Sequence, residues 1–280
     1  MKRASLEWVN ADVSFEHVSV TELRNRFPKG LSQPAGGFRF AVDSLLLSCF
    51  PRINRVRRFL DLGTGCGVVG LGMLLRSGNE TLNGVGLDVV PDMAAAAREN
   101  AVRLGLETRF SVCECDVGSV RSCRDVGPES FDLVAVNPPY REEGRGRVSP
   151  GEERRAARFE TAAGLDDFLS AAAYALSCRG RLAISYLSER LADLFTALRA
   201  QRLEPKRMRL MAGHSKAPPR LVLVEAVKNG GPGLVVEPVL VIHADRQGRT
   251  VTDEAARFCP FLAKTTRPAP GSGPWIGQGA

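Results

Sequence analysis

Histidine is scarce in this sequence, and its cysteines do not form a framework. The 280 residues hold three histidines (His17, His214 and His243) and seven cysteines, an odd number scattered along the chain. In a chain of this size that argues against a disulfide scaffold. Cys113-x-Cys115 is a close pair of possible metal ligands, yet no Cys-x2-Cys and no nearby histidine completes a set of four. Alternating cysteines on a strand read as small hydrophobes, so no metal is expected. Apolar runs are short as well, none approaching the roughly twenty residues that span a bilayer. Met1-Lys2-Arg3 leads into mixed polar sequence with no signal-peptide pattern. A cytoplasmic protein with no membrane partner is the expectation. No internal repeat is visible.

What is present suits a large folded domain. Hydrophobic residues make up 44% of the chain, enough for a full core. The formal net charge is +7, carried mostly by arginine. A basic balance is compatible with a nucleic-acid partner and says nothing about fold.

Along the chain, Glu16–Val20 reads as a short strand, and Gln33-Pro34-Ala35-Gly36-Gly37 as a turn. A helix follows over 38–47, with Leu45, Leu46 and Leu47 as its buried stripe, and Phe38 and Phe40 fit either core packing or a pocket wall. Val56–Leu62 is a strand running into Asp61-Leu62-Gly63-Thr64-Gly65-Cys66-Gly67, and Val68–Leu75 is an apolar helix. Strand, glycine loop and helix form the first unit of a nucleotide-type α/β fold. Gly84–Asp88 is the next strand, Pro91–Leu106 a helix with proline near its start, and Arg109–Cys115 a strand ending at Asp116. After the strand around Leu133–Val136, a helix over 165–176, a strand over 181–186 and a helix over 188–202 continue the alternation. Strands at Arg207–Leu210, Leu221–Val227 and Val235–Ile242 follow without helices, implying an antiparallel finish. The alternation predicts a mainly parallel sheet with helices on both faces.

The glycine loop permits two cofactors. Gly65-x-Gly67-x-x-Gly70 matches the dinucleotide fingerprint, with Asp88 about where a ribose-binding acid belongs. A nicotinamide or flavin oxidoreductase is therefore one reading. Asp61 opposes it, because a carboxylate at the end of the first strand would repel a pyrophosphate docked on the helix N-terminus. Asp61, Asp88 and Asp116 at three successive strand ends suit a ligand that carries positive charge.

The stretch Phe131-Asp132-Leu133-Val134-Ala135-Val136-Asn137-Pro138-Pro139-Tyr140 organises the rest. Leu133–Val136 is a strand buried on both faces. Prolines end it, since they cannot donate to a ladder and push their predecessors away from helix. Asn137 therefore stands at the carboxyl end of a central strand, where α/β sheets bind ligands. An exocyclic amine on a flat ring is a poor nucleophile because its lone pair is delocalised. The Asn137 side-chain oxygen and the Pro138 carbonyl could accept its two N–H bonds and aim the lone pair at an electrophile. Tyr140 would stack on the ring. By itself the tetrapeptide could equally be a proline-stiffened turn.

Asn137-Pro138-Pro139-Tyr140 resembles the catalytic motif of S-adenosylmethionine-dependent methyltransferases acting on adenine N6, cytosine N4 or glutamine amide nitrogen. Asp61-Leu62-Gly63-Thr64-Gly65-Cys66-Gly67 resembles their first motif. The resemblance implies the class I methyltransferase fold, a Rossmann-like seven-stranded sheet with an antiparallel edge strand. It implies Gly63, Gly65 and Gly67 as the cofactor loop, Asp61 toward the methionine end, Asp88 on the ribose hydroxyls and Asp116 at the adenine amine. Asn137 would border the cofactor and, with Pro138, Pro139 and Tyr140, hold the acceptor. Two families share these motifs. Release-factor glutamine methyltransferases place a substantial helical domain before the glycine loop, whereas some fifty-five residues precede the first strand here. The block from Gln33 to Leu47, the Asn-Pro-Pro-Tyr motif, and 208–216 with 221–226 resemble the bacterial tRNA1(Val) adenine-37 N6-methyltransferases over about residues 30–255. Asp88 stands where glutamate is common in that family, and the proline-rich tail is extra.

The implied activity is methylation of adenine N6 in a tRNA anticodon loop. Release-factor glutamine, another rRNA or DNA amine, and an inactive RNA-binding module are the alternatives, and the intact tetrapeptide and acids oppose the last. The expected organisation is an N-terminal extension over 1–28, a methyltransferase domain over 29–262 and a disordered tail over 263–280. Arg141–Glu160, with mixed charges, reads as a lid or a solvated loop. Lys206, Arg207, Arg209, His214, Lys216 and Arg220 form a purer basic cluster, expected to contact the RNA backbone.

Overall fold

The computed structural model describes residues 19–34, 40–139 and 163–263. Phe38, Tyr140, the stretch from Arg141 to Glu160, most of the N-terminal extension and the tail beyond 263 lie outside the described residues. Helices α1 (Val20–Arg26) and α2 (Val42–Cys49) precede β1 (Arg58–Leu62). Then come α3 (Val68–Arg76), β2 (Asn83–Asp88), α4 (Pro91–Arg103) and β3 (Phe110–Glu114). A 3-10 segment, Val117–Ser122, leads toward β4 (Phe131–Val136). Helix α5 (Leu165–Ala175), β5 (Leu176–Leu187), α6 (Leu191–Ala200), β6 (Leu203–His214), β7 (Leu221–Lys228), β8 (Val235–His243), α7 (Asp253–Phe258) and α8 (Pro260–Ala263) complete the order.

Local chemistry explains the boundaries that differ from expectation. Val20 begins a helix instead of ending a strand, because the Ser19 hydroxyl accepts the Glu22 N–H at 3.2 Å and caps the first turn. Helix α2 begins at Val42, later than its apolar pattern suggests, and buries Leu45, Leu46 and Leu47 together. Helix α4 starts on Pro91 in the first turn and stops before Gly105, whose φ of 59° suits glycine.

The strand order is β3-β2-β1-β4-β5-β7-β6-β8 in one eight-stranded sheet. Strands β1 to β5 pair in parallel, β7 runs antiparallel between β5 and β6, and β8 lies parallel to β6. The class I architecture is present, with an eighth strand at the edge and the antiparallel strand inserted one place in from β6. The chain moves outward from β1 to β3, then returns to β4 on the other side of β1. That reversal makes the β1/β4 boundary the topological switch point, where this architecture binds its ligand.

Alternation along each strand feeds two cores. Phe59, Leu133, Ala135, Ala183 and Leu223 pack with α1 to α4 and the C-terminal helices. Leu60, Leu62, Val134, Val136, Ile184 and Val224 pack with α5, α6 and the 3-10 segment. Truncating a fully buried ring such as Phe59 or Phe131 in these layers would cost about 3–5 kcal/mol. The sheet therefore holds its carboxyl edge rigidly. Among the described residues, no helix is long and apolar enough to cross a membrane.

Candidate active site

Strand β4 is buried from Leu133 to Val136 and delivers Asn137, half-buried, to the carboxyl edge. Its register pairs Leu62 with Val136 on one side and Val136 with Ile184 on the other. The next residues along are thus Gly63, Asn137 and Ser185, side by side. Pro138 is buried and Pro139 exposed, so the turn leaves the sheet at once.

Two serines that the sequence reading did not single out hold the Asn137 amide. Its Nδ2 donates to the Ser44 Oγ at 2.8 Å, and the Ser185 hydroxyl donates to its Oδ1. Ser44 lies in the first turn of α2, where Asp43 Oδ1 accepts its backbone N–H at 2.7 Å and faces its hydroxyl at 3.5 Å. The amide is thus held at both ends, its nitrogen on Ser44 and its oxygen on Ser185. Asn137 Oδ1 is an amide acceptor placed at the carboxyl edge of the sheet. The Ser185 contact follows from the β4/β5 register, whereas Ser44 reaches the site across 93 residues of sequence, and no local pattern signals it.

The acids line the adjoining strands. Asp61 is 1% exposed, and its Oδ2 accepts the Thr64 hydroxyl at 2.7 Å and the Gly70 N–H at 3.0 Å. Gly70 is in the first turn of α3, so a carboxylate already occupies the helix end where a dinucleotide would seat its pyrophosphate. Burial, against the pull of those two hydrogen bonds, pushes the Asp61 carboxyl up to about 6. Asp88 accepts the Gly65 N–H at 2.8 Å and the Val90 N–H at 2.9 Å, and burial raises its carboxyl too. Asp116 accepts the Gly118 N–H at 2.7 Å through Oδ1, capping the 3-10 segment. Each sequence-predicted acid therefore stands at the carboxyl edge and also fastens its own loop.

The loop fits a cofactor lying across it. Gly63, Gly65 and Gly67 all have positive φ (70°, 56° and 87°). A Cβ at Gly67 would press on Leu71 and Ala97, so that glycine serves packing. A Cβ on Gly65 would meet nothing within 4 Å, so open space adjoins the loop between Asp61 and Asp88. Two buried carboxyls disfavoured as anions, beside an open glycine loop, match a ligand with a cationic end and ribose hydroxyls.

The basic cluster is different from expectation. Arg207 is 9% exposed, and its guanidinium meets Glu237 at 3.0 Å, Glu225 at 3.3 Å and the Phe50 carbonyl at 2.8 Å while stacked over the Phe50 ring. Arg209 pairs with Glu254 and the Pro238 carbonyl, and Lys206 donates to the Gly231 and Pro232 carbonyls. These three cations are structural, because each satisfies acceptors of the protein itself. Lys216 and Arg220 remain exposed in the β6–β7 hairpin, at the same sheet edge as Asn137. Ser188 ties that hairpin down through the Pro219 and Arg220 carbonyls, three residues from Ser185.

Residues 41–186 match the model of the methyltransferase small domain. A protein of Parabacteroides distasonis named tRNA1(Val) (adenine(37)-N6)-methyltransferase is 26% identical over 67% of this chain and 76% of its own. A Haemophilus influenzae protein of the same name is 27% identical over 78% of this chain and 89% of its own. A crystal structure from Agrobacterium tumefaciens, described as a predicted O-methyltransferase, superposes with a TM-score of 0.62 at 21% identity. It covers 81% of this chain and 100% of that one, and supports the fold alone. With the glycine loop, the acidic edge and the Asn137 clamp at one switch point, the chain belongs to the methyltransferase small domain family and is an S-adenosylmethionine-dependent methyltransferase.

Proposed function

We propose that the protein methylates the N6 amine of an adenine in tRNA, adenine 37 of a valine tRNA, by direct transfer. The observation that carries this reading is the Asn137 amide, held on both sides by Ser44 and Ser185 at the carboxyl edge beside the glycine loop. The relatives' shared name supports the choice of base and RNA. S-adenosylmethionine supplies a methyl group on a sulfonium, an electrophile that needs no metal. Asn137 Oδ1 accepts one N–H of the amine and the Pro138 carbonyl the other, which localises the lone pair along the transfer direction. Tyr140 stacks on the unstacked base, and an anticodon loop gives up a base more cheaply than a duplex does. The amine proton leaves only after the methyl has arrived, so no strong base is required. Lys216 and Arg220 are the phosphate contacts at this edge.

Incubation with labelled methyl donor and total bacterial RNA or total protein, followed by digestion, tests this reading. Label in N6-methyladenosine supports it; label in N5-methylglutamine would move the substrate to a release factor.

Asp61 is the partner of the cofactor's amino-acid amine in this reading. Its folded pKa of about 6 lies above the ordinary 3.8, so the folded protein without ligand favours the protonated form between those values. A cationic ligand favours the ionised form. The affinity for S-adenosylhomocysteine should therefore fall as pH drops through about 6, becoming about tenfold weaker at pH 5 than at pH 7. Asp61→Asn should weaken binding at pH 7 and flatten the profile. Calorimetric titration at several pH values checks this, and a flat wild-type profile would assign Asp61 to loop structure alone.

A further inference from the structure

Cys113 lies on edge strand β3 and Cys115 one residue past its end, and the 3-10 crossover brings Cys123 and Asp125 back beside Cys113. The Cys113 and Cys123 sulfurs are 3.2 Å apart. Among the described residues, Cys113, Cys123 and Asp125 form a group whose ligand atoms all lie within 4.8 Å of one another. Cys115 lies just outside that group, its thiol interacting with Cys123 while donating to the Asp116 carbonyl at 3.4 Å and the Ser119 carbonyl at 3.7 Å. We propose that Cys113, Cys123 and Asp125, completed by Cys115, form a binding site for a soft divalent cation of the zinc class.

The donor set fits that cation. Thiolates with one carboxylate match the sulfur-rich, four-coordinate sites that zinc prefers. Sulfurs about 2.3 Å from a tetrahedral ion lie roughly 3.8 Å from each other, whereas a disulfide brings them to about 2.05 Å. The observed 3.2 Å is nearer the first value, so a small separation accommodates an ion. Without one, burial and the neighbouring thiols push the Cys113 and Cys115 thiols up. A cation inverts that preference by taking the thiolates as ligands.

The scaffold holds these groups in place. Cys113 is on a strand whose Leu87 partner fixes its register. Cys123 and Asp125 sit in a turn closed by the Val126 N–H on the Cys123 carbonyl at 3.2 Å, with Val126 1% exposed. Arg58, stacked over Phe131, donates to the Asp125 carbonyl at 3.0 Å and anchors the same turn. Where α/β units usually cross over through a helix, this chain has a 3-10 segment of six residues. A cation bound here would staple that short crossover to the sheet edge. Asp116 lies inside the stapled stretch, so the site would also brace the end of the cofactor pocket without touching the reaction.

The test uses the full chain, stripped with a chelator under a phosphine reductant and then titrated with zinc(II) or cobalt(II). One equivalent should bind, and cobalt should give a near-ultraviolet thiolate charge-transfer band with the visible spectrum of a tetrahedral site. Cys113→Ser and Cys123→Ser should each weaken binding by at least about a hundredfold, and Asp125→Asn by about tenfold. Cys178→Ser, at an exposed thiol, should leave it unchanged. Failure of the reduced protein to take up either ion, or uptake indifferent to both cysteine substitutions, would overturn the proposal. So would a Cys113–Cys123 disulfide in the isolated protein that, once reduced, still binds no cation.

Discussion

Asn137→Ala should lower the rate constant for methyl transfer about a hundred- to a thousandfold, the usual effect of removing one oriented group that stabilises a transition state. The substitution deletes the acceptor that Ser44 and Ser185 hold in place. Its interaction with the amine strengthens as the lone pair localises, so kcat should fall far more than KM for the RNA rises. Binding of S-adenosylhomocysteine should stay close to wild type, since Asp61, Asp88 and the glycine loop are untouched. Stability should drop only by about 1–3 kcal/mol, from buried hydroxyls losing a partner. Ser185→Ala keeps the acceptor but loosens its aim, and should cost on the order of tenfold in kcat. Single-turnover rates, calorimetry and thermal melts separate these effects. Normal turnover by Asn137→Ala would reduce the motif to a stiff turn.

The second large effect is on folding. Arg207→Ala should destabilise the protein by about 3–5 kcal/mol, because it strips one partner from a buried charge network. Glu225, 7% exposed, would keep Arg181 at 3.5 Å as its one cation among the described residues, and the Phe50 carbonyl would lose the Arg207 donor. Glu237 would lose its contact with Arg207 as well. A melting temperature lower by about 10 °C is expected at this chain length. Arg207→Lys should recover little, since an ammonium cannot span Glu225, Glu237 and the Phe50 carbonyl while stacking on a ring. If Arg207→Ala instead melted normally and lost only RNA affinity, the guanidinium would be a phosphate contact.

Arg207 also shows where sequence reading stops. Lys206, Arg207 and Arg209 look like a basic patch because their spacing is visible and their partners are not. Glu225, Glu237 and Glu254 approach them through β7, β8 and α7, and only the sheet order reveals it. The same limit hid Ser44 and Ser185, whose hydroxyls become meaningful once α2 and β5 flank β4. Cys123 is a further case, ten residues from Cys113 in sequence yet in contact after the crossover folds back. By contrast, the alternating strands and helices, the glycine loop, the strand-end acids and Asn137 were all legible. Each depends on chemistry within a few residues: buried runs, turn-forming glycines, and prolines that end a strand.

The most direct test uses two unmodified valine tRNA transcripts, one with adenosine at position 37 and one with purine riboside there, which lacks the exocyclic amine. Each is incubated with enzyme and labelled donor, then digested and analysed by nucleoside mass spectrometry. Approximately one N6-methyladenosine per adenosine-37 transcript is expected, with only background label in the amine-free transcript and with Asn137→Ala enzyme. Equal labelling of both transcripts, or a product methylated away from N6, would contradict the proposal that Asn137 presents an adenine amine for transfer.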